Sequence, residues 1–362
     1  MGHTERTALW IIATGVIVAG LYFLREPLTV FALAVILWLV IDGAANAIRR
    51  RVPSLSKGFA LLLAVVLVMG LVSLIFYELI INVGELASHA KVYEASLNQK
   101  LAQLYLAFGG GGAAPTIDAL MARVDPSSFI AQTGSALQST AGDTIFILIL
   151  LGFLFSSAPI MTKKLDAIFP DPVQRSHVRA IGASIRGSME RYMWVQTVAS
   201  LIDTVLTFLS LELIGLDNAL FWAFLIFFLN YIPTIGSIVA VILPTAFALV
   251  QFPDVGHVIA VALGVGSWQF IIGNFIQPRM TGESLNLSTV IVLLALTIWG
   301  AMWGIAGAFL AAPLTVMLMI VLAQFPDTKW IAIMLSADGQ PTVPSSIPTS
   351  PNPDQIEVAN RV

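Results

Sequence analysis

The chain has 362 residues, 57% of them hydrophobic and only 11% charged, and its mean hydropathy is +0.88. A water-soluble fold of that composition would lack the polar side chains to cover its surface, so an all-α polytopic membrane protein is expected. The net charge of −3 says nothing about partners, and the absence of cysteine excludes disulfides and thiolate chemistry.

Residues 1–83 are expected to form three membrane helices, at 8–24, 28–47 and 58–82, each close to the roughly 20 apolar residues that cross a hydrocarbon core. No Ala-x-Ala-like site follows the first, which reads as a retained helix rather than a signal peptide. Arg49, Arg50, Arg51 and Lys57 lie between the second and third helices. Lys163, Lys164, Arg175, Arg179, Arg186 and Arg191 lie between a fourth, at 143–161, and a fifth. The positive-inside rule places both loops and both termini in the cytoplasm. Residues 84–142 then form an extracytoplasmic helical segment. In it Leu86, Ala90, Tyr93, Leu97, Leu101, Leu104 and Phe108 make an amphipathic stripe, glycines 109–112 end it, and a second helical pattern follows Asp125-Pro126-Ser127. The stripe packs on a neighbour, or serves a gate or subunit contact.

Residues 143–191 combine the fourth membrane helix with a cytoplasmic segment. There Phe169-Pro170-Asp171-Pro172 forms a turn and a basic amphipathic helix lies along the membrane surface, its charges serving topology. In the fifth span, 192–214, Gln196, Ser200, Asp203, Thr207 and Ser210 recur at steps of three and four on one face. An ionised Asp203 near mid-span costs about 2.5–3.5 kcal/mol on insertion scales, so it must face the bundle or water. Two readings stay open: a protonated Asp203 bonded to a neighbouring helix, or proton or cation coupling through Asp203 with Gln196 and Thr207.

Residues 192–327 are expected to be the transport core. The run 219–251 would span roughly 50 Å as one helix, too long for an ordinary crossing. Pro233 and Gly236 split it into two arms suited to a re-entrant hairpin, with Asn230 and Thr234 beside the turn. Such a break must be buried in protein or line a watered cavity, because lipid cannot satisfy its peptide groups. The run 288–325 behaves alike, with Gly300, Gly304 and Gly307 at its middle. "IGSIVAVILPT" and "IAGAFLAAPLT" read as a weak internal repeat, and paired interrupted segments point to a transporter's binding site. Between the two runs, the span 257–276 and its end carry Gln269, Asn274 and Gln277, followed by Pro278 and an interfacial Arg279. The resulting fold has about eight membrane segments, two of them interrupted. Residues 328–362, rich in proline, serine and threonine towards the end, read as a disordered cytoplasmic tail.

Other chemistries lack their residues. The glycine run 109–112 has no Gly-Lys-Ser/Thr ending, so it is no phosphate loop. His3, His89, His177 and His257 are scattered and offer no zinc motif, and no Ser meets a His at depth. No enzyme activity, cofactor, metal or nucleic-acid partner is expected. A membrane scaffold without transport is the remaining alternative.

The stretches "LNYIPTIGSIVAVILP", "NFIQPRMTG", "LTIWGAMWGIAGAFLAAPLTVML" and "RYMWVQ" together resemble the autoinducer-2 exporter family, the PerM-like permeases, over about residues 190–325. The resemblance implies a bacterial inner-membrane protein, conventionally of eight spans, that exports a small polar solute. Autoinducer-2 is the eponymous solute, and some relatives are described as Na+ or H+ antiporters. It also implies a homo-oligomer in the lipid bilayer, with five subunits the suggested number. The family's Pro-x-x-Gly turn falls on Pro233 and Gly236, its Gln-Pro pair on Gln277 and Pro278, and its glycine-rich turn on Gly304 and Gly307 with Pro313 after it. Gln196 matches the glutamine of the family's fifth helix. Asp203 and Glu283 depart from the family pattern. The expected site therefore gathers Asn230, Pro233, Thr234, Gly236, Gln269, Asn274, Gln277, Gly300, Gly304 and Gly307 around a hydroxylated solute.

Overall fold

In the computed structural model, residues 3–88, 126–281 and 286–341 are described, with a few positions between 98 and 116. Among them all regular structure is helical, and one isolated antiparallel bridge joins Leu287 to Ser336. The helices are α1 (His3–Phe23), α2 (Arg25–Arg51), α3 (Lys57–Ser88), α4 (Pro126–Ile168), α5 (Pro172–Ile214), α6 (Ala219–Leu229), α7 (Ile235–Gln251) and α8 (Val255–Ile271). A π turn (Ile272–Ile276) leads into α9 (Gln277–Thr281), and α10 (Thr289–Leu322) and α11 (Lys329–Leu335) follow. Four segments among the described residues are long and apolar enough to cross a membrane: α2, α5, Val255–Met280 and α10. The expected stripe from Leu86 to Phe108 lies largely outside the described residues, and glycines 109–112, Glu283 and residues 342–362 lie wholly outside them.

α5 corrects one expectation. In place of a surface helix followed by a separate span from residue 192, residues Pro172–Ile214 form one helix of 43 residues, about 64 Å long and so far longer than a hydrocarbon core. Its start is well specified: Asp171 accepts hydrogen bonds from the Val173 and Gln174 N–H groups, and Pro172 occupies the first turn. It ends at Gly215, whose left-handed φ of 82° lets its N–H reach the Leu211 and Glu212 carbonyls. Between these signals there is no proline, and neither Gly182 nor Gly187 adopts a positive φ, so nothing stops the helix at residue 191.

α2 is the hub of the amino-terminal half. Its Ile41 and Ala45 pack with Ala60 and Ala64 of α3 and Leu151 of α4, the alanines letting backbones approach. Its other face, Ile36 and Leu39, meets Met189, Tyr192 and Met193 of α5 and Leu310 and Val316 of α10. Arg186, one of the charges expected to serve topology, pairs with Asp42 of α2 and, at 2.7 Å, with Glu190. Its guanidinium also stands 5.2 Å from the centre of the Trp38 ring.

Both long runs are folded back on themselves. α6 and α7 reverse about residues 230–234, bringing the Trp222 and Phe247 rings to 5.2 Å. A Cβ at Gly236 would lie 1.7 Å from the Leu229 carbonyl oxygen, so only glycine permits this turn. Thr234 sits in it with φ 63°, a strained value for a non-glycine residue. α10 carries a break at Gly304 (φ 64°, ψ −143°), a conformation essentially restricted to glycine. Across it, Trp299 Nε1 donates to Thr315 Oγ1 at 3.3 Å, whereas sixteen residues of straight helix would set them about 24 Å apart. Gly307 has no room for a Cβ, which would fall 2.0 Å from the Trp299 carbonyl oxygen.

The chain after α10 also departs from expectation, since residues 328–341 are ordered. α11 packs Ala332 against Met319 and Ala323 of α10. Beyond it the chain pairs with residues 286–288: Ser288 N–H donates to the Leu335 carbonyl at 3.1 Å, and Ala337 N–H to that of Asn286 at 3.0 Å. An apolar helix and backbone pairing here outweigh the tail's polar composition.

Candidate functional site

The polar stripe of α5 is the foundation of the site. Gln196, Ser200, Asp203 and Thr207 are all buried, Asp203 completely. Asn230 comes from the end of α6 and Gln269 from the last turn of α8, and both converge on Asp203. Its Oδ2 accepts from Asn230 Nδ2 at 2.7 Å and from Gln269 Nε2 at 2.6 Å. Thr207 Oγ1 donates to Oδ1 at 3.4 Å, and Gln269 Nε2 reaches Asn230 Oδ1 at 3.0 Å. Two amides and one hydroxyl surround the carboxyl group, and no ion pair is made to it among the described residues.

A second set of bonds ties the tip of the first helix pair to α5 and α9. Gln196 Nε2 donates to the Asn230 carbonyl at 2.8 Å, satisfying backbone that the turn leaves without a helical partner. Gln277 Nε2 in turn donates to Gln196 Oε1 at 2.8 Å. The Thr197 hydroxyl donates to the Met193 carbonyl at 2.6 Å, so the Tyr231 hydroxyl, 2.7 Å away, is the donor in their bond. The π turn has a local cause: Pro278 carries no N–H for the Asn274 carbonyl and its ring would crowd it, so the helix widens just before it.

Above this network lies a cavity of about 980 Å³, at the upper end of small-molecule sites. Carboxamides of Gln196, Asn230, Gln269, Asn274 and Gln277 line it, with the hydroxyls of Thr234, Ser237 and Thr289 and apolar walls from Phe270, Ile238 and Val292. Residues 286–287 and 337–338 close one side. A neighbouring space of about 20 Å³, bounded by Gln196, Ser200, Asn230, Ser237 and Gln269, leads toward the network beneath. Among the described residues no cluster of three His, Asp or Glu side chains could hold a metal ion.

Of the residues singled out in the sequence, Gln196, Asn230, Pro233, Thr234, Gln269, Asn274 and Gln277 meet at this cavity. Asp203 and Thr207 lie one layer deeper, beneath Asn230 and Gln269. Gly236 is buried at the turn. Gly300, Gly304 and Gly307 are not among the lining residues: they let the arms of α10 pack, with Ala308 Cβ 3.8 Å from a Cβ built on Gly300. Trp299 and Trp303 likewise pack on each other, with ring centres 5.1 Å apart. Sequence reasoning missed Ser237, Tyr192, Asn286 and Asp338. Ser237 could have been found one position after Gly236, but nothing in the sequence pairs Asn286 with Asp338.

An all-helical arrangement of the described residues, with long apolar segments around an open, carboxamide-bearing cavity, is that of an integral membrane protein. A family model described as AI-2E family transporter matches residues 11–327, and the chain belongs to that family. A putative transport protein of Haemophilus influenzae is 31% identical over 346 residues, covering 92% of this chain and 97% of that protein. The AI-2 transport protein TqsA of Escherichia coli is 30% identical over 325 residues, covering 89% and 92%. The putative transport protein YhhT of the same organism is 27% identical over 325 residues, covering 88% and 91%.

Proposed function

We propose that the chain is a secondary transporter that exports a small, hydroxyl-bearing polar solute from the cytoplasm, with autoinducer-2, the cargo in the name of TqsA, as the first solute to test. The observation that carries this reading is the carboxamide-lined cavity between the two folded-back helix pairs. An amide presents a donor and an acceptor side by side, which matches a hydroxyl group without demanding charge.

The two pairs act as re-entrant hairpins within about eight membrane segments and form the moving, solute-holding unit of the transport core, residues 192–327, while the amino-terminal helices and the external segment form the scaffold and oligomer contact. The positive-inside rule sets Arg49–Arg51 and Arg279 in the cytoplasm. Since Gln277, Pro278 and the residues after α11 line the cavity, its mouth faces the cytoplasm, the loading side of an exporter. The Asp203–Asn230–Gln269 network closes the far side. Displacing the first hairpin tip would break the Asn230 bonds and open a path past Asp203, so solute binding and gating share one residue. Homo-oligomer formation belongs to this proposal through the family resemblance.

Exchange of Na+ or H+ is a second reading, favoured by one observation: a fully buried carboxylate on the route. Uptake of labelled small polar solutes into proteoliposomes, at several sodium and proton gradients, tests both. Solute flux lost in Asn230→Ala and Gln269→Ala supports export, and flux of no solute refutes it. A sodium-dependent pH change that Asp203→Asn abolishes would establish coupling.

A further inference from the structure

Besides amides and hydroxyls, the described wall of the large cavity carries one carboxylate, that of Asp338, and no Lys, Arg or His side chain. Asp338 lies on no hairpin. It reaches the cavity from the stretch after α11, which folds back onto residues 286–288. Two donors position it: Asn286 Nδ2 at 2.8 Å and the Gln340 backbone N–H at 2.8 Å, both on Oδ1. Asn286 is fixed in its turn, with φ 42° and its side-chain amide also bonded to the Gln340 carbonyl at 2.6 Å. These bonds, that from Asn286 foremost, hold the Asp338 carboxyl below the usual carboxylate range, so it is anionic at neutral pH.

We propose that Asp338 is a specificity residue that sets the charge preference of the cavity, admitting neutral hydroxyl-bearing solutes and turning away those that carry a phosphate or carboxylate. The proposal rests on the reading of this cavity as the solute site. The carboxamides around it have no net charge and bond neutral and anionic oxygen alike, so they cannot supply the discrimination. Asp338 is exposed, so water tempers its field, but a fixed negative charge at the rim of a cleft still lowers the local concentration of anions and raises that of cations.

The chain has no cysteine, so Ser237→Cys places a single thiol on the cavity wall. The full-length variant in proteoliposomes is reacted with three methanethiosulfonates of similar size: one neutral, one bearing a quaternary ammonium and one a sulfonate. The ratio of cationic to anionic rates at the one thiol cancels any change in its reactivity, and dividing by the same ratio for a small free thiol cancels the intrinsic difference between the reagents. At low salt this normalised ratio is expected at about three to ten. It should fall toward one when Asp338→Asn is added, and also in about 1 M salt, where screening acts within roughly 3 Å. A ratio that Asp338→Asn leaves unchanged overturns the proposal. So does failure of the neutral reagent to react, because the cavity is then closed to water. Flux of the labelled polar solutes, autoinducer-2 among them, into wild-type vesicles reports separately on transport: flux of none of them with the charge bias intact would refute the transport reading and leave the role of Asp338 standing.

Discussion

Gln269 Nε2 lies 2.6 Å from Asp203 Oδ2, a bond that joins α8 to the carboxy-terminal half of α5 across 66 residues of sequence. With the Asn230 bond beside it, this contact makes one buried oxygen the meeting point of three separate chain segments. The carboxylate is the acceptor that both amides require.

Asp203→Asn halves that acceptor capacity while keeping the shape. The asparagine turns its oxygen to Asn230 and Gln269, since its NH₂ there would set donor against donor, and its NH₂ to Thr207, whose hydroxyl accepts as well as donates. The two amides then share one neutral oxygen in place of a carboxyl group, at about 1 kcal/mol. The thermal midpoint of the purified protein in detergent should drop by several degrees, with Asp203→Glu also lowered through crowding. A midpoint equal to wild type in Asp203→Asn would contradict the assigned network.

The two hairpin glycines should be intolerant of any side chain. Gly236→Ala and Gly307→Ala each place a Cβ within 2.0 Å of a carbonyl oxygen, an overlap well beyond the usual 1–3 kcal/mol of overpacking. Both variants should lose most of their monodisperse yield in fluorescence-detected size exclusion. Gly300→Ala meets only an ordinary contact at 3.8 Å and should behave as wild type. Equal yields across all three would refute the folded-back geometry.

Arg186 and Asp42 should be coupled. Arg186 is 41% exposed at its side chain, so solvent screening limits the pair to about 0.5–1 kcal/mol. A double-mutant cycle of Arg186→Ala and Asp42→Ala, read from thermal midpoints, measures the coupling. Strict additivity of the two losses would show that the pair contributes nothing.

The cap of α8 should respond to acid. Asp254 accepts from the His257 N–H at 3.1 Å and pairs with its ring at 2.6 Å, and the His257 bonds hold its carboxyl below the usual range. A depressed carboxyl stabilises the fold above its unfolded value of about 4 and loses that contribution as pH falls through the folded value. Amide exchange in the first turn of α8, corrected for intrinsic rate, should quicken as pH falls below about 4. Asp254→Asn should remove that acid step. A step that persists in the variant would assign it to another group.

Much of the site was legible because it obeys local rules. The steps of three and four on α5 fixed which of its side chains share a face, and Pro233 with Gly236 marked the first turn. What stayed hidden depends on distance in the chain. Nothing near Arg186 names Asp42 as its partner, 144 residues away. The Asn286–Asp338 contact joins two polar stretches that look like loop and tail. The continuity of α5 was hidden for another reason: a change from basic to apolar residues suggests a boundary, whereas a helix stops only where its backbone is interrupted. Gly300, Gly304 and Gly307 were correctly marked as a break, but glycine also serves close packing, and the sequence does not separate that use from ligand contact.

The unbroken course of α5 has a mechanical meaning. Arg186 and Asp203 lie seventeen positions apart on one rod, about 25 Å along its axis. One continuous backbone thus joins the charged end to the buried carboxyl group, so a rotation of α5 as a unit carries both, as an axle carries its wheels.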